Sequence, residues 1–353
     1  MVGAPHALPR SSFSLRRVRA TTVLTGAGWT EDTAAARRDL RAPALPSTGM
    51  ETTVETSAVT KRYGRTVAVD ELSIAVRPGR VTGFVGPNGA GKTTTMHLLL
   101  GLATADSGEA LIQGRRYKTI ARPLTVVGAL LDARALHRSR SARSHLRWLA
   151  QSNGIPSGRV NEVLRSVGLS NVARRRAGGF SLGMRQRLGI AGALLGDPPI
   201  LILDEPTIGL DPEGIQWMRE TLRGLAAEGR TVFVSSHLMS ELEDTADHLI
   251  VIGKGRLLAD VSVAELLAAA TNGQVEIRTA DVPAAMTVLA GAGVTAVSSG
   301  RDQVSVQGIA PARVAELLVR SGVRLDELVS ARATLEEAYF SLTRDAAAHT
   351  AER

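Results

Sequence analysis

The sequence predicts an α/β fold built around a phosphate-binding loop, followed by a small α+β unit. Three observations carry that prediction. "ILILD" (200–204) and "TVFVSS" (231–236) are continuous apolar runs of strand length, the pattern of parallel strands buried on both faces. "EGIQWMRETLRGLAAEG" (213–229) between them has helical apolar spacing, so strand and helix alternate. "GPNGAGKTTT" (86–95) lies between the apolar strand "VTGFVG" and a helix continuing through "TTTMHLLLGL".

Bulk properties bound the rest. The 353 residues suit two or three domains, and 44% hydrophobic content allows a sizeable core. The chain has no cysteine, which excludes disulfides and thiolate metal sites and fits a reducing cytosol. A net charge of +8 invites a nucleic-acid reading, but residues 1–49 hold seven arginines against three acids, about half of the excess. The lysines number only four, a skew that looks like GC-rich codon usage rather than selection for phosphate contacts. No nucleic-acid partner is expected. A membrane-spanning helix needs ~20 apolar residues. The longest apolar runs reach about half of that, so any spanning partner is a separate chain.

In chain order, residues 1–49 are rich in Ala, Arg, Ser, Thr and Pro without periodicity and are expected to be a disordered leader. Their Arg-rich, Lys-free composition also suits a targeting peptide. Met50, opening "METTVETSAVTKRYG", is the expected true start. "VETSAV", "VAVDELSIAV" and "RVTGFVG" read as strands, and 120–195 as more helical and more charged. After "ELLAAATNG" the pattern becomes β-α-β-β-α-β, a ferredoxin-like α+β arrangement with a turn at Gly300. The expected divisions are 50–272 for the larger α/β domain, with a helical subdomain at about 133–190, 273–345 for the α+β domain, and 346–353 as a tail.

Gly86, Gly91, Lys92 and Thr93 fit G-x-x-x-x-G-K-[ST], with Pro87, Asn88, Gly89 and Ala90 completing the loop and Thr94 following it. Glycines let the backbone curl until its N–H groups face phosphates, and the helix N-terminus adds partial positive charge. Lys92 is expected to reach the β- and γ-phosphates of a bound nucleotide, and Thr93 to offer its hydroxyl to Mg2+. A chance glycine turn is the competing reading; the strand and helix on either side argue against it.

Asp204 ends a buried strand, where open α/β sheets bind ligands. It is expected to hold Mg2+ through water, and Glu205 to orient and deprotonate the attacking water. Solvated acids at a strand end are the plainer alternative. His237 follows the strand "TVFVSS" and is placed within reach of a γ-phosphate. Tyr63, ahead of the core strands, suits stacking on adenine or ordinary packing. In "GGFSLGMRQRLGIAGALL" (178–195), Ser181 is placed to cap a helix whose free N–H groups suit an anion.

Together, and in this order, "GPNGAGKT", "FSLGMRQR", "LILDEP", "GLDP" and "SSH" resemble the nucleotide-binding subunit of ATP-binding cassette (ABC) transporters over about residues 52–270. The resemblance implies a P-loop, RecA-like core with a helical subdomain, ATP and Mg2+ as ligands, and two subunits paired head to tail. "FSLGMRQR" is similar to the family's signature motif, usually written LSGGQ. The resemblance implies that Ser181 and Gly183 contact the γ-phosphate held by the partner subunit's P-loop. Leu182 replaces the family's first Gly, and Met184 its Gln. Asp211 matches the residue that links the two sites.

A second departure is Asp132, which aligns with a family Gln that senses Mg2+ and γ-phosphate. An ionised carboxylate only accepts hydrogen bonds, so direct Mg2+ ligation is the expectation and a solvent-facing Asp the alternative. Both departures resemble the bacterial bacitracin-type and daunorubicin-type resistance ATPases, as does "LEEAYFSLT" (335–343). That resemblance implies a homodimeric ATPase on the cytoplasmic side of the membrane, peripheral to a separate integral-membrane permease that exports a drug, antibiotic or lipid-like molecule. The permease contact is expected near 133–150. A nucleotide-switched regulatory module without transport is the rival reading.

Overall fold

The computed structural model describes residues 53–271, 275–330 and 334–340. The expected leader at 1–49 and the tail at 346–353 lie outside the described residues.

Strands β1 (Val54–Tyr63) and β2 (Thr66–Val76) pair antiparallel around a tight turn, and β1 also pairs antiparallel with β4 (Ser107–Ile112). They form a three-stranded sheet in the order β2-β1-β4. The central sheet has six strands. They are β3 (Val81–Val85), β5 (Val127–Leu130), β6 (Ile200–Asp204), β7 (Thr231–Ser236), β8 (His248–Gly253) and β9 (Arg256–Ser262). Their spatial order is β5-β6-β7-β3-β8-β9. All neighbours run parallel except β8 and β9.

The continuous apolar runs have the expected physical cause: β3, β6 and β7 are buried at every residue. Alternate residues serve opposite faces. On one face Ile200, Ile202 and Phe233 meet Phe84, whose ring lies 5.0 Å from that of Phe233, together with Met96 and Leu99 of the helix Lys92–Leu99 and the antiparallel sheet. On the other, Leu201, Leu203, Val232 and Val234 pack with Leu146, Leu164, Leu188 and Met218 from helices Ala142–Ser152, Gly158–Ser166, Leu182–Leu194 and Pro212–Ala227. Helices on both faces of a parallel sheet place the strands' carboxyl ends at one open edge, where the loops carry the site.

Residues 275–330 form a separate four-stranded antiparallel sheet, β11-β12-β10-β13, from β10 (Val275–Arg278), β11 (Ala296–Ser298), β12 (Gln303–Val306) and β13 (Glu327–Ser330). Helices Val282–Gly291 and Pro311–Arg320 complete the β-α-β-β-α-β order, with Ile277, Leu289, Val304 and Leu318 in a core of their own. The helix at 335–340 returns to the larger unit, where Leu335 and Ala338 are fully buried.

Candidate functional site

The loop 86–91 leaves β3 and enters the helix Lys92–Leu99 through Gly91. This residue has φ +106°, and a Cβ there would lie 2.4 Å from the Ala68 carbonyl oxygen. Only glycine fits that backbone and that space. No side chain caps the helix, so its first N–H groups remain available to an anion.

A cavity of about 540 Å³ opens in front of this loop. Asn88 to Thr94, Asp204, Glu205 and His237 line it, as do Ala68 and Ile208. Lys92 is buried, and its Nζ donates to the carbonyl oxygens of Gly86 at 2.6 Å and Pro87 at 3.3 Å. Burial pushes its ammonium pKa below the ordinary lysine value, against the opposing pull of Glu205 and Asp204.

β6 delivers Asp204 to this edge. Thr93 Oγ1 donates to Asp204 Oδ2 at 2.7 Å, and the Ser235 hydroxyl from neighbouring β7 donates to the other carboxylate oxygen. A hydroxyl and a carboxylate side by side are hard oxygen donors of the kind that suits Mg2+.

Glu205 has φ +48°, a left-handed conformation that costs a non-glycine residue about 1–3 kcal/mol. Fixed contacts hold it there. Its N–H donates to Ser235 Oγ at 3.0 Å, and its carbonyl accepts from the buried Gln186 Nε2 at 3.1 Å. The kink accompanies a carboxylate aimed at the end of β7, where Oε2 lies 2.9 Å from His237 Nδ1. Glu241 braces the same corner: its Oε2 accepts from Thr207 Oγ1 at 2.8 Å and Ser236 Oγ at 2.9 Å.

Ser181, Gly183 and Asp211 form a second group, none of which lines the cavity of their own chain. Ser181 caps the helix Leu182–Leu194 by accepting from Met184 N at 3.2 Å. A Cβ on Gly183 would approach the Gly209 carbonyl oxygen to 2.8 Å, so the capped end packs on the loop that leads to Asp211. Asp211 caps the helix Pro212–Ala227 through Gly214 N at 2.9 Å while its side chain stays 71% exposed.

Two predicted residues stand apart. Tyr63 ends β1 half exposed, under the Lys61 ammonium at 5.4 Å from the ring centre, and does not line the cavity. Asp132 is exposed after β5, and its Oδ1 accepts from Arg134 N at 2.7 Å; it too is outside the lining. Sequence reasoning missed Gln186, Ser235 and Glu241. Gln186 lies inside "FSLGMRQR" and Ser235 inside "SSH", while Glu241 lies four residues past His237; none of the three shows its partner in the sequence.

Comparison with known proteins gives matches over both units. Residues 69–208 match the ABC transporter family model, and 273–336 match a domain of unknown function. The chain is 44% identical over 215 residues to the bacitracin transport ATP-binding protein BcrA of Bacillus licheniformis, covering 60% of this chain and 70% of that protein. It is 37% identical over 298 residues to the uncharacterized ABC transporter ATP-binding protein YhcH of Bacillus subtilis, covering 83% of this chain and 97% of that protein. A solved structure of the ATP-binding subunit of an ABC transporter superposes with a TM-score of 0.57 at 26% identity, over 61% of this chain and 92% of that one.

Proposed function

This chain belongs to the ABC transporter ATP-binding proteins, and from that premise we propose that it hydrolyses ATP as a head-to-tail homodimer to drive export of an antibiotic or similar amphipathic molecule through a separate permease. The observation that carries the hydrolytic reading is the convergence of Lys92, Thr93, Asp204, Glu205 and His237 on one cavity beside an uncapped helix N-terminus. The cargo class rests on the likeness to a bacitracin transport protein. No helix among the described residues is long and apolar enough to cross a membrane.

In this reading the nucleotide's phosphates lie against the loop N–H groups, and Lys92 turns its ammonium from the Gly86 and Pro87 carbonyls to the β- and γ-phosphate oxygens. The Thr93 hydroxyl and the Asp204 carboxylate, side by side at 2.7 Å, would hold Mg2+, which when bound would supply Lewis-acid charge to the phosphate oxygens. Asp132 is an additional ligand only if its loop rearranges, because its carboxylate bonds its own turn. Glu205 takes a proton from water, the water oxygen attacks the γ-phosphorus, and the bond to the β-bridging oxygen breaks, releasing ADP and phosphate. With its Nδ1–H directed at the Glu205 carboxylate, His237 donates from Nε2 to the γ-phosphate in its doubly protonated form as charge spreads over that group. Ser181 and Gly183 of the second subunit close over the γ-phosphate, and Asp211 relays between the two sites. Loss of the phosphate lets the halves part.

Phosphate release by the purified chain tests this. Wild-type protein turning over ATP, with Glu205→Gln reducing the rate by ~10²–10⁴, is the expected outcome. Equal rates in both proteins would remove Glu205 from the chemistry.

A further inference from the structure

The helical subdomain carries a concentration of charge that ATP binding does not use. Residues 133–195 hold twelve arginines and a single acid, Glu162, more positive charge than the +8 of the whole chain. The fold gathers much of it into one ribbon. Segments 138–143 and 173–178 run side by side and exchange backbone hydrogen bonds: Arg143 N to Ala173 O at 2.8 Å, Ala142 N to Arg175 O at 3.2 Å, Ala177 N to Arg140 O and Gly178 N to Arg138 O, both at 2.9 Å. Arg138, Arg174, Arg175 and Arg176 are exposed, as are Arg134 and Arg147 close by in sequence. None of these six forms an ion pair among the described residues; Glu162 is engaged by Arg159 at 3.0 Å. The Arg140 guanidinium lies 4.7 Å over the ring of Trp148, which is itself half exposed. His145, packed behind the ribbon, is held below the ordinary histidine pKa by burial first and then by Arg140 and His137.

Six uncompensated guanidinium groups on and beside the ribbon, with an exposed tryptophan in the helix that follows it, suit one partner chemistry: a surface dense in phosphate, with an apolar layer beneath it for the ring. Guanidinium binds phosphate oxygens in pairs and sheds water more readily than ammonium. Tryptophan settles at the headgroup level of a bilayer. We propose that this ribbon and Trp148 dock the subunit on anionic lipid headgroups beside the permease, a different occupant for this part of segment 133–150 from the permease contact that the resemblance implies. The presence of a bilayer next to the subunit rests on the transporter reading; the surface itself does not. The ribbon runs directly into Ser181, so lipid engagement bears on the segment that presents the signature helix.

Vesicle sedimentation with the full chain tests the proposal. Vesicles of phosphatidylcholine mixed with phosphatidylglycerol are compared with phosphatidylcholine alone. The protein is expected to sediment with the anionic vesicles only, to be released by salt, and to show a fluorescence blue shift that Trp148→Phe removes. Substituting Arg174→Gln, Arg175→Gln and Arg176→Gln together is expected to weaken partitioning roughly a hundred-fold, with basal ATP turnover unchanged as the check on folding. Arg134→Gln with Arg147→Gln is a second variant that leaves the paired backbone segments untouched. Equal binding to neutral vesicles, no binding, undiminished binding by both variants, or tighter binding to duplex DNA or RNA than to anionic vesicles would overturn it. Vesicle binding by a chain that does not turn over ATP counts against the hydrolytic reading alone.

Discussion

His237 Nδ1 and Glu205 Oε2 lie 2.9 Å apart and join the ends of two adjacent parallel strands, β6 and β7, within the nucleotide cavity. The two side chains are a coupled pair, each setting the other's direction. Residues that act as one unit are non-additive on removal. Glu205→Gln combined with His237→Ala is therefore expected to turn over ATP no more slowly than the worse single variant. Additive losses in a double-mutant cycle of phosphate release would mean that they act separately.

Gln186 ties the signature helix to the catalytic strand within one subunit, through Nε2 on the Glu205 carbonyl at 3.1 Å. Gln186→Ala leaves that contact unmade in a buried position. The expected cost is about 1 kcal/mol of stability, read as a shifted urea midpoint, together with a lower kcat because the left-handed Glu205 loses one of its restraints. A variant with wild-type stability and kcat would show that Gln186 merely fills space.

Ser181 lines no part of its own chain's cavity, so the head-to-tail dimer has a direct chemical test. The chain contains no cysteine. Asn88→Cys and Leu182→Cys together, in the Glu205→Gln background, are expected to cross-link two copies when ATP is present and to stay monomeric on gels without it. Cross-linking that ignores nucleotide, or none at all, contradicts that arrangement.

Glu241 accepts from Thr207 and Ser236, the residues that flank the Glu205 and His237 turns. Glu241→Ala is expected to lower kcat roughly ten- to hundred-fold with little change in KM for ATP. Glu241→Gln keeps an acceptor oxygen and is expected to recover much of the rate. Equal loss in both variants would point to charge rather than positioning.

His145 predicts an acid weakness. Its pKa is depressed in the folded protein by burial, with Arg140 and His137 adding to the effect. Below the unfolded value the unfolded chain binds more protons, so stability is full above a pH of about 6.5 and falls as pH drops beneath it toward the folded pKa. The urea midpoint of the wild type is expected to fall between neutral and mildly acidic pH. His145→Leu is expected to flatten that dependence, and an unchanged slope would assign it to other groups.

Much of this site is legible in the sequence because its parts are local. The loop 86–94 is one contiguous motif, and Asp204, Glu205 and His237 follow runs whose apolar continuity marks strands buried on both faces. Gln186 and Glu241 were invisible for the opposite reason: each bonds to a residue far along the chain, and only folding brings the partners together. The strand at Ser107–Ile112 is half exposed and begins "SGE", so no apolar run announces it. Tyr63 and Asp132 match a family position or a plausible chemistry; both lie outside the cavity lining, Tyr63 under the Lys61 ammonium and Asp132 bonded to Arg134 N. Composition alone makes the arginines look like codon usage, whereas the pairing of 138–143 with 173–178 turns many of them into one surface.

An ATP-driven subunit serving a membrane permease is testable in the cell. Glu205→Gln, expected to hold the ATP-closed dimer, is tagged in the native host, the membranes are gently solubilised with ATP present, and co-purifying proteins are identified. A multi-spanning membrane protein is expected in the eluate and is lost when ATP is omitted. Recovery of the tagged protein only from the soluble fraction, or with ribosomes or DNA, would contradict it.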